Sequence, residues 1–159
     1  MKMKLFAVMT LVGVLSLAGT AAADHLGKST GNWKLVSAER HGEPLSKEEI
    51  ANVTVTVTKS EEGALKIVTK QDDKVVTEAT AKLAKGDAKP DAKHDQFDIT
   101  YAKGSDKDGK SLKGKTLHGV ISVDGDTMKV CWHGEEGYPK EFIADKDSHC
   151  TLRTFKRVK

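Results

Sequence analysis

Aromatic side chains are scarce in this 159-residue chain, two Trp, two Tyr and four Phe making up 5% of it. An interior built with so few rests on Val, Leu, Ile and Ala, and a barrel filled that way has room for a modest cavity or none. An excess of one charge sign is also missing. The formal charge is +3, it falls to +1 without Lys2 and Lys4, and the two signs are interspersed. That leaves no electrostatic case for binding nucleic acid or an acidic membrane surface. No long hydrophobic run exists beyond Leu5 to Ala18, which is short for a membrane span and broken by Thr10, Gly13 and Ser16. There is no Cys-x-x-Cys, no Gly-x-Ser-x-Gly elbow, and no Cys after Leu17-Ala18-Gly19 where a lipid anchor would need one.

What is present reads first as an export leader. Lys2 and Lys4 precede the apolar run, and Ala21-Ala22-Ala23 offers the small residues a signal peptidase reads, so residues 1–23 are expected to be a signal peptide cut near Ala23. Residues 24–159 then form one domain, exported to the periplasm or beyond, without a membrane anchor and monomeric.

Leu117 to Trp132 organises that domain. Asp124-Gly125 between alternating apolar runs is a hairpin signal. With those two residues as the turn, Val123 faces Asp126, and Ile121/Met128, Gly119/Val130 and Leu117/Trp132 pair on an apolar face. His118, Val120 and Ser122 lie opposite Cys131, Lys129 and Thr127 on the other face.

Elsewhere the same period of two recurs. Trp33, Leu35 and Ser37 alternate with Lys34, Val36 and Ala38, and Val53 to Thr58 reads Val-Thr-Val-Thr-Val-Thr. Ser46-Lys47-Glu48-Glu49 fits a capping box and a short helix through Ala51. Further strands are expected at Ala64–Thr69, at Val75–Leu83 with Val75, Thr77, Ala79, Ala81 and Leu83 in phase, at Phe97–Tyr101 and at Thr151–Val158, with a short extended piece at Phe142-Ile143. Asp72-Asp73 marks a turn, and Ala84–Asp95 and Lys103–Lys115 read as polar loops. The expected fold is all-β, an antiparallel up-and-down barrel of about eight strands with one short helix after the first.

Constellations for chemistry are few. Gly109-Lys110-Ser111-Leu112-Lys113-Gly114-Lys115-Thr116 satisfies the phosphate-loop pattern, but a strand follows it where a helix is needed. Asp106-Lys107-Asp108-Gly109 resembles part of a calcium loop, yet the closing acid falls on Leu117. Glu61-Glu62, Asp72-Asp73 and Glu135-Glu136 sit in turns, as solvated charges rather than a tuned acid/base pair. Nothing composes a catalytic set, so the chain does not read as an enzyme and no cofactor is implied. Cys131 and Cys150 could meet across neighbouring strands as a disulfide, or stay separate thiols. With His118, His133 and His149 they could instead form a zinc or copper site, although scattered surface histidines are the commoner explanation.

The order of several motifs resembles a family of small exported domains abundant in planctomycete bacteria, itself similar to the lipocalin-like barrels. The matching residues are Gly31-x-Trp33, Glu39-Arg40-x-Gly42-x-Pro44-Leu45, Asp98-Ile99, Gly114-Lys115-Thr116-Leu117-x-Gly119, Asp124-Gly125-Asp126-Thr127 with Cys131, Pro139-x-x-Phe142 and Phe155-Lys156-Arg157. The chain departs from the family at Ile121, Tyr138 and Cys150. The resemblance implies that Trp33 closes the barrel floor with Arg157 packed over it, Arg153 being the substitute. It also suggests a small hydrophobic ligand, and the apolar strand phase places Leu35, Val55, Phe97, Ile99, Ile121, Met128 and Val130 on the inner wall that such a ligand would meet. The alternative is a ligand-free structural or protein-interaction module, its barrel filled by its own side chains. A Cys/His metal-binding protein comes third.

Overall fold

The computed structural model describes residues 24–60, 62–84, 93–134 and 137–159. The leader expected over residues 1–23 and most of the polar loop expected between Ala84 and Asp95 lie outside them.

The elements in chain order are α1 (His25–Lys28), β1 (Gly31–Arg40), β2 (Glu43–Pro44), α2 (Lys47–Ile50), β3 (Val53–Lys59), β4 (Leu65–Gln71), β5 (Lys74–Leu83), β6 (Asp95–Lys103), β7 (Thr116–Asp124), β8 (Thr127–His133) and β9 (Thr151–Arg157). β1 and β3 to β9 each pair antiparallel with the next, and β9 pairs back onto β1, so the sheet closes as an eight-stranded up-and-down barrel with β2 as an added strand. Closure leaves no long unpaired edge, which is the physical gain of the architecture.

Turn chemistry sets the meander. Asp72 and Asp73 join β4 to β5 with φ of 49° and 63°, a conformation Asp tolerates and a two-residue hairpin needs. Ser46 caps α2 in a full capping box with Glu49, whose carboxylate accepts the Ser46 N–H at 2.9 Å.

The β7–β8 hairpin departs from the expected register. Asp124 pairs with Thr127, so Gly125 and Asp126 are the central residues, and the apolar pairs are Val123/Met128, Ile121/Val130 and Gly119/Trp132. Gly125 has φ 54° and Asp126 is not in the positive region, the pattern of a turn with Gly at its first central position. Each residue's partner moves by two, an even slip, so no side chain changes face. His118 consequently faces His133, and Cys131 faces Val120.

β1 also differs from strict alternation. A bulge between Leu35 and Ser37 advances the phase, leaving Val36 and Ser37 exposed and Ala38 only 3% exposed. Trp33 and Leu35 therefore point inward before the bulge, and Ala38 after it. Leu83, expected in phase with Ala79 and Ala81, is exposed at the end of β5. Phe142-Ile143 forms no strand; Phe142 packs outside the barrel wall on a small cluster of Val120, Cys131, Cys150 and Leu152.

The main core fills the end of the barrel where β1 begins. Leu26, Trp33, Val57, Leu65, Ala81, Phe97, Val123 and Phe155 are buried there in one cluster with the residues of the inner wall. Leu26 seals this end because Asp95, 2% exposed, accepts its backbone N–H at 2.8 Å, and the Val123 N–H donates to His25 Nδ1 at 3.1 Å. Asp95 is thus a buried helix tether, not the end of a solvated loop.

Candidate functional site

The closed end is built around Trp33, which is fully buried and donates its indole N–H to the Ser29 carbonyl at 2.7 Å. Trp33 and Arg157 are cross-strand partners on β1 and β9. The Arg157 guanidinium stands 4.1 Å from the Trp33 ring centroid. It donates to the carbonyls of Thr30 at 2.9 Å and Lys28 at 3.1 Å, and its Nε lies 3.7 Å from the Asp126 carboxylate. Stacking, two carbonyl acceptors and one partly exposed acid engage the whole fork.

Above this floor is a cavity of about 460 Å³. Leu35, Val55, Phe97, Ile99, Ile121, Met128 and Val130 all line it, one or two from each of β1, β3, β6, β7 and β8, joined by Val53, Val57, Ile67, Ala79 and Phe155. Phe97 lies directly over Gly119, its cross-strand partner; a Cβ at Gly119 would stand 2.8 Å from two ring carbons. The missing side chain is what leaves room for the ring to lie this close to the β7 backbone.

The opposite end carries the polar groups. Arg40, Gln71, Thr77, Tyr101, Trp132, Thr151 and Arg153 line the cavity there, with Leu45 and Glu49 from the α2 segment and Ser105 to Asp108 and Leu112 from the β6–β7 loop. That loop contains both sequence motifs that suggested phosphate or calcium. Asp106 accepts the backbone N–H groups of Asp108 and Lys110 at 3.0 and 2.8 Å, and the Lys110 N–H above all holds its carboxyl below the usual range. Its carboxylate shapes the loop from within.

The resemblance offers Arg153 only as a substitute for Arg157, and the structure gives it a separate place. It follows the inward phase of Phe155 two residues on, and its guanidinium stands 5.0 Å from the Trp132 ring centroid. Part of its surface faces the cavity, while its Nε is covered and has no hydrogen-bond partner among the described residues. Burial pulls its pKa down, and the nearby Arg40 charge adds to that against the opposing influence of Tyr101. Burial likewise pushes the Tyr101 phenol up. The signal for Arg153 was its shared parity with Phe155.

The cysteine and histidine residues separate. Cys131 and Cys150 are both buried free thiols packed together outside the barrel wall. Burial first, then the Cys150 thiol, pushes Cys131 up to about 12. His118 Nδ1 is 2.7 Å from Asp98 Oδ1, which also accepts the Tyr138 hydroxyl at 2.6 Å. Burial and the Asp98 carboxylate push Tyr138 up to about 12. His149 instead stacks edge-on with His41, the centroids 5.8 Å apart. The set His118, Cys131, His133, His149 and Cys150 is therefore not gathered, and no group of three or more His, Cys, Asp or Glu among the described residues is placed to hold a metal ion. Asp98, His118 and Tyr138 form a polar cluster that the sequence did not suggest, on the outer face and turned from the cavity.

No helix among the described residues is long and apolar enough to cross a membrane. No known protein family matches the chain, and no curated protein or solved structure matches it.

Proposed function

We propose that this is an exported binding protein that holds a small hydrophobic molecule inside its barrel. The observation that carries the reading is the cavity of about 460 Å³ walled by aliphatic side chains from most of the strands. Its volume falls in the roughly 300–1,000 Å³ range of small-molecule sites, and a few polar groups at one end of an apolar chamber are what such sites use to orient a ligand. A barrel serving only as a structural module gains stability by filling that space, because each missing contact in a dry interior forfeits dispersion energy. The resemblance to small exported lipocalin-like domains agrees with this reading and with the leader expected over residues 1–23.

The test is titration with the neutral fluorophore N-phenyl-1-naphthylamine. The expected result is saturable binding at one site per chain, lost in Ile121→Trp, which fills the chamber from β7. Absence of saturable binding to the unaltered protein would leave the self-contained interaction module as the better account.

A further inference from the structure

We propose that the molecule held in the barrel carries a carboxylate, and that Arg153 is the side chain that receives it. The inference rests on the binding reading above and names the chemistry of the ligand's polar end.

The protein supplies its own comparison. β9 projects two arginines to the same side, each over an indole: Arg157 over Trp33 at 4.1 Å and Arg153 over Trp132 at 5.0 Å. Arg157, at the closed end, has two carbonyl acceptors and the Asp126 carboxylate. Arg153, at the cavity's polar end, has the indole beneath it, a covered Nε without an acceptor, and no ion pair among the described residues. A guanidinium carries donors in a rigid fork and stays protonated even when buried, so it cannot escape the desolvation cost by shedding its proton. A buried cation is normally paired, and leaving it unpaired is costly.

The groups around it do not supply an ion-pair partner among the described residues. Arg40, at the end of β1, adds a second positive charge but has the Glu49 carboxylate near it, and Tyr101 from β6 adds a phenol hydroxyl able to donate. These three donors share the polar end of the chamber with Gln71, Thr77, Thr151, Glu49 and Ser105 to Asp108, while the wall toward the closed end is mainly aliphatic. A carboxylate offers the planar pair of oxygens that a guanidinium fork matches. Its single charge also suits a site where Arg40 already has the Glu49 carboxylate near it and Arg153 is the cation without an ion pair among the described residues, whereas a phosphate dianion would bring more charge than that one guanidinium balances. The tail would run down toward Phe97, Ile121 and Met128.

The test compares decanoate with decanol by isothermal titration, on the unaltered protein and on Arg153→Met. The expected result is decanoate binding about tenfold or more tighter than decanol, as one charge-assisted hydrogen-bonded pair would give, with the gap closing in R153M. Equal affinity for acid and alcohol in the unaltered protein overturns the inference and leaves the binding reading standing. Failure of both to bind overturns the two together. The comparison on the unaltered protein decides even where R153M does not fold, and a gap that persists in a folded R153M removes Arg153 from the role.

Discussion

Arg157 and Trp33 face each other across the seam that closes the barrel, the guanidinium 4.1 Å from the ring centroid and its two terminal nitrogens spent on the carbonyls of Thr30 and Lys28. The contact joins the last strand to the first and to the segment that leads out of α1. Arg157→Lys keeps the charge but cannot stack a plane on the indole and reach two carbonyls at once. Loss of the stack and one or two hydrogen bonds should cost about 1–3 kcal/mol. Urea unfolding with an unchanged slope and a lowered midpoint is the expected outcome; an unchanged midpoint would show that the seam is held by its strand pairing alone.

Gly119 is placed by space rather than by backbone angle. A Cβ there would meet Phe97 Cε1 and Cζ at 2.8 Å and the Cys131 carbonyl oxygen at 2.9 Å. Gly119→Ala should destabilise the protein by about 1–3 kcal/mol, the usual cost of overpacking. Phe97→Leu in the same chain relieves the ring clash but not the carbonyl one. The double variant should therefore lose less than the sum of its single changes, and strict additivity would contradict the packing described.

Much of the barrel could be read from residues such as Val53 to Thr58, whose alternation suits a strand with one face inward and excludes an amphipathic helix. The hairpin shows what alternation cannot fix. Asp124-Gly125-Asp126 permits a turn centred on Asp-Gly or on Gly-Asp, and both place the same side chains inside, so apolar pattern alone does not choose between them. The bulge after Leu35 was hidden for another reason: it depends on how β1 is shared between β3, β9 and β2. The seven inner-wall residues were legible because they are apolar and in phase. Arg153 was not, since a charge on an inward position argues against that position until the cavity is seen. α1 escaped notice because four residues carry no periodicity; its place depends on Asp95, distant in sequence.

That tether gives a local prediction. Asp95 is buried and its Oδ2 accepts the Leu26 N–H at 2.8 Å. Asp95→Ala strands a buried donor, at a cost of about 1–3 kcal/mol. The loss should concentrate at the closed end: hydrogen exchange at the Leu26 amide should accelerate more than at amides of β3 and β4. Uniform acceleration across the barrel would instead mean that Asp95 supports β6 and not the helix.

Cys131 makes stability depend on alkaline pH. Its side chain is wholly buried against Val120 and Cys150, and burial raises the thiol from an ordinary 9.0 to about 12. In the unfolded chain the thiol ionises first, so above about pH 9 the unfolded state has lost a proton that the native state still holds. The stabilisation is complete below that pH and drains away as pH rises toward about 12, by at most about 1.4 kcal/mol per pH unit. Tyr138, likewise held up to about 12, acts in the same direction. Cys131→Ala removes only the first contribution. Under reducing conditions its stability, though lower at neutral pH for the lost packing, should fall less steeply between pH 9 and 12 than that of the unaltered protein. Parallel pH profiles for the two proteins would show that this thiol ionises without leaving the native packing, and that its burial imposes no such barrier.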